Sequence, residues 1–532
     1  MLVVGSGGGG LVGAYTAASQ GLHTILIEAT DKFGGTTAYS GSGMWLPTNP
    51  VLARGGSPDT LEAARTYYRS VVGDRTPIAL QEAYLNTGAR LVAFLEENPR
   101  LRFQVFPWPD YFGSAPCAKA EGRHIIAESL PQSELGELFH SLRPTLTTER
   151  QGQTRAELLF GGQALIGRLL LAVTGTGRVD LRLNTRMDSL IVEDNRVVGA
   201  IAETSNGSLR IHSRRGVLIA AGGFEQNDAM RREFGVAASA KWSMGAPGNL
   251  GGPIRAGIAI GAATDLMGEA WWSPGLMHPD GTATFSVGIL GGLFVNSAGQ
   301  RFTNESQPYD ILGRDVLRGE ATGIRHLPFW LIYDARFGQR PPVMNASIAL
   351  QANEAYVSAG LWKQSQTLEG LAAQIGMPAT ALTETVARFN GFAASGQDED
   401  FHRGDLAYDR FFTGSQAPDQ SLVSLENPDF GDAFGSGGPN PCLIPVDRPA
   451  FYAASFGLSD LGTKGGLKTD QDARVLDTVG RVIPGLYAAG NSMAAVSGTT
   501  YPGGGNPIGS SIVFAYLAAL DMLRLGSQRN AA

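Results

Sequence analysis

Residues 1–30 constrain the fold more than any other part of the chain. They form an apolar run, a glycine-rich turn, a helical pattern and a second apolar run that ends at Glu28. Gly5, Gly7 and Gly10 fill the pattern G-x-G-x-x-G, in which the glycines allow a tight turn, a close pyrophosphate and close helix–strand packing. Glu28 is placed to accept hydrogen bonds from ribose hydroxyls. The stretch therefore predicts a Rossmann-like unit that binds a dinucleotide at the N-terminus of its helix.

The next stretch, DKFGGTTAYSGSGMW at 31–45, distinguishes between dinucleotides. It is rich in Gly, Ser and Thr, and FAD needs such extra donors along its pyrophosphate and flavin edge. No second G-x-G-x-x-G supports a nicotinamide site. Because the stretch contains no histidine for covalent attachment, we expect non-covalent FAD. The predicted cofactor-binding residues in this half of the chain are Gly5, Gly7, Gly8, Gly10, Glu28, Gly35, Thr36, Thr37, Ser40, Gly41 and Gly43.

Two further apolar runs, at 216–223 and 485–491, have the pattern of buried parallel strands that bring backbone to a cofactor. They predict that Ala221, Gly222, Gly490 and Asn491 also bind the cofactor.

Because these runs enclose the middle of the chain, the predicted fold is α/β, with a Rossmann-like FAD-binding domain interrupted by a smaller α+β catalytic domain. The FAD-binding domain is predicted at 1–270 and 455–532, and the catalytic domain at 271–454. We expect a turn at 296–299, a strand in LPFWLIYDARF, helices over TLEGLAAQIG and PATALTETVARFNGFAASG, and an exposed Gly/Pro-rich loop up to Pro445. A helix in SPDTLEAARTYYRSVV is expected to start from a Ser-Pro-Asp cap.

Composition excludes several functions. The chain has 532 residues and a formal net charge of -7, so no basic stripe is available for nucleic acid. Two cysteines, Cys117 and Cys442, cannot form a disulfide framework, which predicts a reducing, cytoplasmic location, with loose membrane association left open. The histidines have no metal-ligand spacing, so no metal is expected. The first apolar run begins at Met1 without a signal peptide and looks clipped, which suggests missing residues or a late start.

No residue between 482 and 520 carries a charge, although the stretch contains SGTTYPGGGNPIGSS with a single tyrosine. Glycine and proline at this density do not fit a transmembrane helix, so no integral membrane segment is expected.

The motifs GSGGGG, KFGGTTAYSGSGMWLP, FTNESQPYD, DLGTKGGLKTD and SGTTYPGGGNPIGSS together resemble FAD-dependent 3-ketosteroid Δ1-dehydrogenases, in the wider group of flavoproteins related to fumarate reductase. The resemblance covers nearly the whole chain, and Tyr-Pro-Gly-x-Gly is its most specific part. It implies loss of a proton from C2 and of a hydride from C1 of the steroid A ring, the hydride going to flavin N5. The charge that develops on the C3 oxygen then needs preorganised donors.

The resemblance also implies the roles of individual residues. Tyr501 and the backbone N–H of Gly505 would donate to the C3 oxygen, because a phenol donates while neutral and glycine lets a ketone approach the main chain. Tyr309, in ESQPYD, corresponds to the base that takes the C2 proton. Tyr111, in WPDYFG, corresponds to a partner that hydrogen-bonds the base and makes it more basic.

A helix that starts near Pro507 or Ile508 would direct its positive end at the flavin N1–C2=O edge, which favours reduced flavin. This adds Asn506 and Ile508 to the predicted cofactor-binding residues.

Several alternatives stay open. The enzyme could act at C4–C5 of saturated 3-ketosteroids, or resemble fumarate reductase, although the neutral wall around Tyr501 does not suit a dicarboxylate. A flavin-binding protein without activity is the non-enzymatic alternative. The electron acceptor is not identified, and a quinone is one candidate. Trp271 and Trp272 either line an apolar pocket or mark the domain junction, and His278 is expected to be structural.

Overall fold

The structure is a computed structural model that describes residues 1–346, 348–412, 425–426 and 438–530. The chain divides into two compact units. The first contains Met1–Ala240, Gly245–Ala270 and Gly462–Ala532, and the second contains Lys241–Met244 and Trp271–Leu461.

The described strands and helices are numbered in chain order. The strands are β1 (Leu2–Val4), β2 (Thr24–Ile27), β3 (Met44–Trp45), β4 (Phe103–Val105), β5 (His124–Ala127), β6 (Leu130–Pro131), β7 (Leu158–Leu159), β8 (Val179–Arg182), β9 (Arg186–Glu193), β10 (Arg196–Thr204), β11 (Gly207–His212), β12 (Val217–Ile219), β13 (Thr264–Asp265), β14 (Ala270–Met277), β15 (Ala283–Ile289), β16 (Leu293–Val295), β17 (Phe329–Asp334), β18 (Val343–Ala346), β19 (Trp362–Ser365), β20 (Leu425–Glu426), β21 (Phe451–Thr463), β22 (Gly466–Leu467), β23 (Arg474–Leu476) and β24 (Val482–Ala488). The helices are α1 (Gly8–Ser19), α2 (Pro50–Arg54), α3 (Leu61–Val72), α4 (Ile78–Glu96), α5 (Leu138–Ser141), α6 (Leu146–Gln151), α7 (Gly161–Gly175), α8 (Asp228–Phe234), α9 (Gly252–Ala259), α10 (Tyr309–Glu320), α11 (Asn353–Ser358), α12 (Leu368–Ile375), α13 (Ala379–Ser395), α14 (Ala407–Phe411) and α15 (Asn506–Asn530).

The first unit is built on a sheet with the strand order β23–β24–β12–β1–β2–β8. β1 lies between β2 and β12 and is parallel to both, and β24 continues the sheet parallel to β12. β23 is the antiparallel edge strand. The apolar runs at 216–223 and 485–491 thus form neighbouring buried parallel strands, as predicted.

Helix α1 is buried on nearly every side, as expected of a helix between a sheet and another helix. A Cβ on Gly13 would come 2.6 Å from Leu218 of the sheet, and one on Gly9 would come 2.4 Å from the Ser511 hydroxyl of α15. The segment Asn506–Leu525 of α15 is long and apolar enough to cross a membrane by length and composition, but 56% of that window is buried inside the protein. Its packing against α1 is that of a core helix.

The cap predicted for α3 is wrong. The helix begins at Leu61 and the hydroxyl of Thr60 caps it by accepting from the Ala63 N–H at 3.2 Å. The Asp59 carboxylate accepts instead from Arg123 at 2.7 Å, so a distant ion pair takes the side chain that the local pattern had assigned to the cap.

The second unit contains a mixed sheet with the order β16–β17–β21–β14–β15–β18–β20, with β19 also paired to β21. The expected strand forms β17 and the two expected helices form α12 and α13. The expected turn follows β16, where the Gly299 N–H donates to the Asn296 carbonyl at 3.0 Å.

The compact units differ from the predicted domain boundaries at 455–461 and 241–244. β21 continues without a break and pairs with β17 at Ser455 and Phe456, so 455–461 belongs with the second unit. The Met244 N–H donates to the Asp460 carbonyl at 2.9 Å, which attaches 241–244 to the same strand. The assignment of a function to each predicted domain stays a prediction.

Most of the loop predicted before Pro445 falls at 413–424 and 427–437, outside the described residues. Its last part is not exposed as expected. Cys442, Leu443 and Ile444 are buried, and Leu443 packs into a core cluster with residues of α12 and α13.

Candidate active site

The glycines of the first turn separate into the roles that the motif predicts. Gly5 has φ +99°, and a Cβ there would lie 2.4 Å from the Ala220 carbonyl oxygen. A Cβ on Gly10 would lie 2.0 Å from the Gly5 oxygen, so these two positions accept only glycine. A Cβ on Gly7 would meet no clash, since the nearest atom outside its chain neighbours is the Thr37 hydroxyl oxygen at 3.6 Å. This opening suits the close approach of a pyrophosphate.

Two helix N-termini meet at this opening. Gly7 precedes α1 without a side-chain cap, and neither α1 nor α15 carries an acidic residue in its first turn. A Cβ on Gly8 would lie 3.7 Å from the Ile508 side chain, so the first turns of both helices are adjacent. Aligned peptide dipoles and unsatisfied N–H groups give such a place a preference for anions.

Glu28 follows β2 as predicted, and its carboxylate is already surrounded by donors. The backbone N–H and hydroxyl of Ser6 donate to Oε2 at 3.2 and 2.6 Å, and the corresponding groups of Thr30 donate to Oε1 at 3.0 and 2.9 Å. These four bonds match the lone-pair capacity of a carboxylate. Ribose hydroxyls that bind Glu28 must therefore replace the hydroxyls of Ser6 or Thr30. Sequence reasoning had missed both residues, although Ser6 stands inside the glycine motif.

The predicted donors after Glu28 line one short helical turn, Gly35–Tyr39, which follows the turn glycine at φ +124°, Gly34. The Thr37 hydroxyl accepts from the Gly8 N–H at 3.1 Å, so it contacts the start of α1. The Thr36 hydroxyl accepts from the Ala246 N–H at 2.9 Å, which leaves its own proton to donate.

Ser40 and Gly41 close this turn. The Ser40 hydroxyl donates to the Thr37 carbonyl at 2.7 Å. A Cβ on Gly161, at the start of α7, would lie 2.8 Å from the Ser40 oxygen and 3.3 Å from Gly41 Cα. The start of α7 thus packs directly against this turn, a contact that the sequence pattern did not predict.

The ends of β12 and β24 are joined by a serine that was also missed. The Ser492 hydroxyl accepts from the Ala221 N–H at 3.0 Å and donates to the Gly222 carbonyl at 2.8 Å. Gly490, with φ +62°, has the Ser511 hydroxyl of α15 within 2.7 Å of a Cβ position. Asn491 follows in the same short helical turn. These predicted residues therefore meet at the ends of the parallel strands.

Gly43 and Gly505 are pressed together. A Cβ on Gly505, which has φ +84°, would lie 2.2 Å from the Gly43 carbonyl carbon. A Cβ on Gly43 would lie 1.9 Å from His124 Nε2, and burial lowers the pKa of His124 to about 4. Gly505 is thus required for close backbone packing, a reason that adds to the expected approach of a ketone. Asn506, the next residue, donates from its amide to the Tyr84 hydroxyl at 3.3 Å.

Tyr111 and Tyr501 lie side by side. Their ring centroids are 5.0 Å apart with planes inclined by 56°, and both side chains are buried, with 1% and 3% of their surface exposed. The Tyr111 N–H donates to the Pro502 carbonyl at 3.0 Å. The backbone thus pairs the two segments that carry these phenols.

Tyr67, on α3, clamps both segments. Its hydroxyl donates to the Pro502 carbonyl at 2.5 Å and accepts from the Phe112 N–H at 3.2 Å. Burial raises the pKa of Tyr67 well above that of a free phenol, so the hydroxyl stays protonated and remains a donor.

Two tryptophan rings pack directly against the glycines that follow Pro502. A Cβ on Gly503 would lie 2.5 Å from the Trp45 indole, and one on Gly504 would lie 2.8 Å from the Trp108 indole. The run of glycines therefore follows from the packing of backbone directly on aromatic rings.

A buried ion pair holds one of these tryptophans, Trp45. The Asp110 carboxylate accepts from the Trp45 indole at 2.8 Å and from the Arg123 guanidinium. Burial raises the pKa of Asp110 to about 6, while the adjacent Arg123 opposes this shift. Asp110 immediately precedes Tyr111, so the pair also fixes the start of that segment.

Tyr309 belongs to the second unit, where it is the first residue of α10 and is 5% exposed. The Phe285 ring contacts it edge-on at 4.7 Å. The segment before it is held by Glu305, whose carboxylate accepts from Arg301 at 2.9 Å and from Arg403 at 2.9 Å. The Tyr309 ring thus packs against Phe285, and a buried ion cluster anchors the segment that leads to it.

The remaining candidates of the second unit are enclosed. Trp271 and Trp272 are buried in β14, and a Cβ on Gly313 of α10 would lie 2.6 Å from Trp272. His278 Nδ1 lies 2.8 Å from the Tyr356 hydroxyl and the ring is buried. Buried side chains in such close contact stabilise the unit by packing.

The chain is similar to known proteins over nearly its whole length. The chain matches the family described as FAD binding domain over residues 1–508. It is 36% identical to a 3-oxosteroid 1-dehydrogenase of Mycobacterium tuberculosis, over 99% of each chain. It is 32% identical to a 4-oxocyclohexanecarboxylate 2-dehydrogenase of Sinomonas cyclohexanicum, over 97% of this chain and 92% of that one. The crystal structure of 3-ketosteroid Δ1-dehydrogenase from Sterolibacterium denitrificans, in complex with 1,4-androstadiene-3,17-dione, matches with a TM-score of 0.86 at 32% identity, over 98% of this chain and 99% of that one.

These similarities confirm the predicted α/β fold class, the predicted cofactor FAD and the stated resemblance. The glycine opening and the paired helix N-termini fit the pyrophosphate of FAD, whereas its non-covalent attachment stays a prediction. Since the family match covers nearly the whole chain and the relatives align from end to end, the chain belongs to the FAD-binding flavoproteins, in the group that includes the 3-oxosteroid 1-dehydrogenases, and is an oxidoreductase.

Proposed function

We propose that the protein introduces a 1,2-double bond into 3-ketosteroids. The observation that carries this proposal is the pair of buried phenols, Tyr111 and Tyr501, with ring centroids 5.0 Å apart. Gly505 follows Tyr501 by four residues and immediately precedes α15. In a chain 36% identical over its length to a 3-oxosteroid 1-dehydrogenase, this neutral cluster suits a ketone better than a carboxylate.

In the proposed reaction, Tyr309 acts as the phenolate and accepts the proton from C2 at its oxygen, which returns it to the neutral phenol. The electrons of the C2–H bond form the new π bond to C1, while C1 loses a hydride. FAD, when bound, supplies the acceptor for that hydride. A free tyrosine has a pKa of about 10 and is a weak base at neutral pH. The resemblance therefore assigns Tyr111 as the partner that makes the base stronger, which stays a prediction.

Tyr501 and the backbone N–H of Gly505 are proposed to donate to the C3 oxygen. In the described part of the chain, no residue accepts a hydrogen bond from that N–H, which leaves it available to a ligand. One preorganised donor of this kind is worth about 3 kcal/mol in the transition state, or a factor of about 100 in rate. Two such donors address the weak acidity of the C2–H bond.

The cofactor-binding residues are proposed to act in two groups. Gly5, Gly7, Gly8 and Gly10 surround the phosphates, and Glu28 accepts from the ribose. A second group surrounds the rest of the cofactor and consists of Gly35, Thr36, Thr37, Ser40, Gly41, Gly43, Ala221, Gly222, Gly490, Asn491, Asn506 and Ile508.

The acceptor that reoxidises the enzyme is proposed to be a quinone, and the location cytoplasmic, with contact to membranes when an apolar steroid is collected. No nucleic acid partner is proposed, because the chain has a net charge of -7.

An anaerobic spectral titration of the purified holoenzyme tests the proposal. Androst-4-ene-3,17-dione should bleach the flavin and yield a product with the new double bond at C1–C2. Separate titrations with 5α-androstan-3-one, 4-oxocyclohexanecarboxylate and fumarate, the last with prereduced enzyme, test the alternatives. Preferred turnover of the cyclohexane acid or of fumarate would refute a steroid function, and a C4–C5 double bond would refute the position.

The role of Tyr309 has its own test. Tyr309→Phe should abolish bleaching by the steroid, because the variant lacks the proton acceptor. Tyr452→Phe is the control, since Tyr452 lies in the same unit and stacks on Tyr333. A normal rate of flavin reduction in Tyr309→Phe would rule out its role as the base.

A further inference from the structure

A buried lysine lies behind the uncharged segment that carries Tyr501. Lys464 is fully buried, although the neighbouring Lys468 on the same segment is exposed. Its Nζ donates to the Thr499 carbonyl at 3.1 Å and to the Thr500 carbonyl at 2.7 Å. These are the two peptide groups directly before Tyr501. An ammonium group is costly to bury unless its hydrogen bonds are satisfied, so this contact is a built feature.

The bonds of Lys464 complete the fixation of the Tyr501 backbone. The Thr500 carbonyl also accepts from the Ser497 hydroxyl at 2.9 Å, and after Tyr501 the Pro502 carbonyl is held by Tyr67 at 2.5 Å. The backbone is therefore anchored at the peptide group before Tyr501 and at the second peptide group after it. Hydrogen bonds from a charged donor are stronger than those from a neutral one.

The backbone of Lys464 is anchored independently of its side chain. Its N–H donates to the Glu269 carbonyl at 2.8 Å, and its carbonyl accepts from the Ala495 N–H at 3.1 Å. A Cβ on the next residue, Gly465, would lie 2.4 Å from Met267 Cα. Replacement of the Lys464 side chain should therefore remove its hydrogen bonds to the Thr499 and Thr500 carbonyls and leave the backbone at 464–465 in place.

We propose that Lys464 is a positioning residue for Tyr501. By holding the two preceding carbonyls, it directs the phenol at the C3 oxygen of the substrate and prevents the glycine-rich loop from relaxing away from it. This inference rests on the proposed function, because it needs Tyr501 as the donor to the ketone. Lys464 itself acts only through the loop.

The experiment combines Lys464→Met with Tyr501→Phe in a double-mutant cycle. Lys464→Met should lower kcat/KM for androst-4-ene-3,17-dione by about 10- to 100-fold, while the double variant falls less than about threefold below Tyr501→Phe alone, because both changes remove one interaction. FAD affinity, measured by quenching of flavin fluorescence, should stay within about threefold of wild type, since FAD contacts are unchanged. Lys468→Met is the matched control and should behave as wild type.

A spectroscopic signature separates positioning from a general loss of structure. The infrared C3=O stretch of bound 1,4-androstadiene-3,17-dione, labelled with ¹³C at C3, reports the strength of the hydrogen bond to that oxygen. It should move in Lys464→Met toward the value in Tyr501→Phe. It should stay at the wild-type value in Lys468→Met.

Each outcome decides between the two proposals. If Tyr501→Phe changes neither the stretch nor the rate, the donor role in the proposed function is refuted. If Tyr501→Phe changes both but Lys464→Met changes neither, or if the two losses multiply in the double variant, the role of Lys464 is refuted. Lys464→Gln repeats the test with a side chain that keeps an N–H donor. Loss of FAD binding in both Lys464 variants would assign the residue to fold stability and overturn the inference.

Discussion

Replacement of Tyr67 by phenylalanine removes one oxygen atom and two hydrogen bonds. The hydroxyl donates to the Pro502 carbonyl at 2.5 Å and accepts from the Phe112 N–H at 3.2 Å. In Tyr67→Phe the Pro502 carbonyl keeps its bond from the Tyr111 N–H at 3.0 Å. The Phe112 N–H, by contrast, is left in a partly buried place without its acceptor.

The magnitude follows from these two losses. An intramolecular hydrogen bond contributes about 1 kcal/mol net, and a buried group left without a partner costs about 1–3 kcal/mol. We expect opening of the segments that carry Tyr111 and Tyr501 to become easier by about 2 kcal/mol, or about 30-fold in the opening equilibrium. Because both phenols are positioned by these segments, kcat/KM should fall as well.

Hydrogen exchange measured by mass spectrometry tests this directly. Peptides that cover 108–113 and 499–505 should exchange about 30-fold faster in Tyr67→Phe, while peptides from β1 and α1 keep the wild-type rate. Tyr15→Phe is the control, because the Tyr15 ring is buried and none of the described residues receives or donates a hydrogen bond at its hydroxyl. Equal exchange of both peptides in Tyr67→Phe and wild type would refute the clamp.

Three further predictions concern the first unit. Gly7→Ala should fold normally but bind FAD weakly in a fluorescence titration, whereas Gly10→Ala should fail to fold by circular dichroism, because its Cβ would lie 2.0 Å from a carbonyl oxygen. Glu28→Gln should weaken FAD binding by about tenfold or more, because an amide offers fewer acceptors to ribose and to Ser6; an unchanged Kd would contradict this. His124 has a pKa of about 4 when folded against 6.5 when unfolded, so the unfolded chain binds the extra proton and the free energy of unfolding should fall by about 3 kcal/mol as the pH falls from 6.5 to 4. Denaturation of His124→Gln over the same range should lack this loss, and equal pH dependence would show that His124 does not titrate in this way.

The sequence predicted those features that depend on neighbouring residues. The glycine spacing identified the turn before α1 and the acid after β2, because the turn, the helix and the second strand follow one another within about 30 residues. Apolar runs identified β12 and β24, and helical periodicity identified α12 and α13. The cap of α3 was mistaken because Asp59 pairs with Arg123, and no local pattern reveals a partner so far along the chain.

The supports of the site were not predictable for the same reason. Tyr67 and Pro502 are 435 positions apart, and Lys464 contacts Thr499 and Thr500 across 35 and 36 positions. The second compact unit extends to Leu461 rather than to 454 because β21 runs over 13 residues, and an apolar run in the sequence does not show where a strand ends. Contacts between distant segments therefore account for most of what the sequence missed.

Residues 482–520 carry no charge, and the charged groups that hold this segment come from other parts of the chain. In the proposed site, the phenols and the Gly505 amide face the substrate, while Lys464 bonds to the carbonyls of the same loop and the Arg123–Asp110 pair bonds to the Trp45 indole that packs on it. A cation in direct contact with the ketone would also attract anions and water, whereas a cation bonded to carbonyls fixes the loop and leaves neutral donors toward the substrate. If this division holds, moving a charge to the front should impair the enzyme even though it adds a donor. Tyr501→Lys should therefore have a lower kcat/KM for the apolar steroid than Tyr501→Phe, and a higher value would contradict the division.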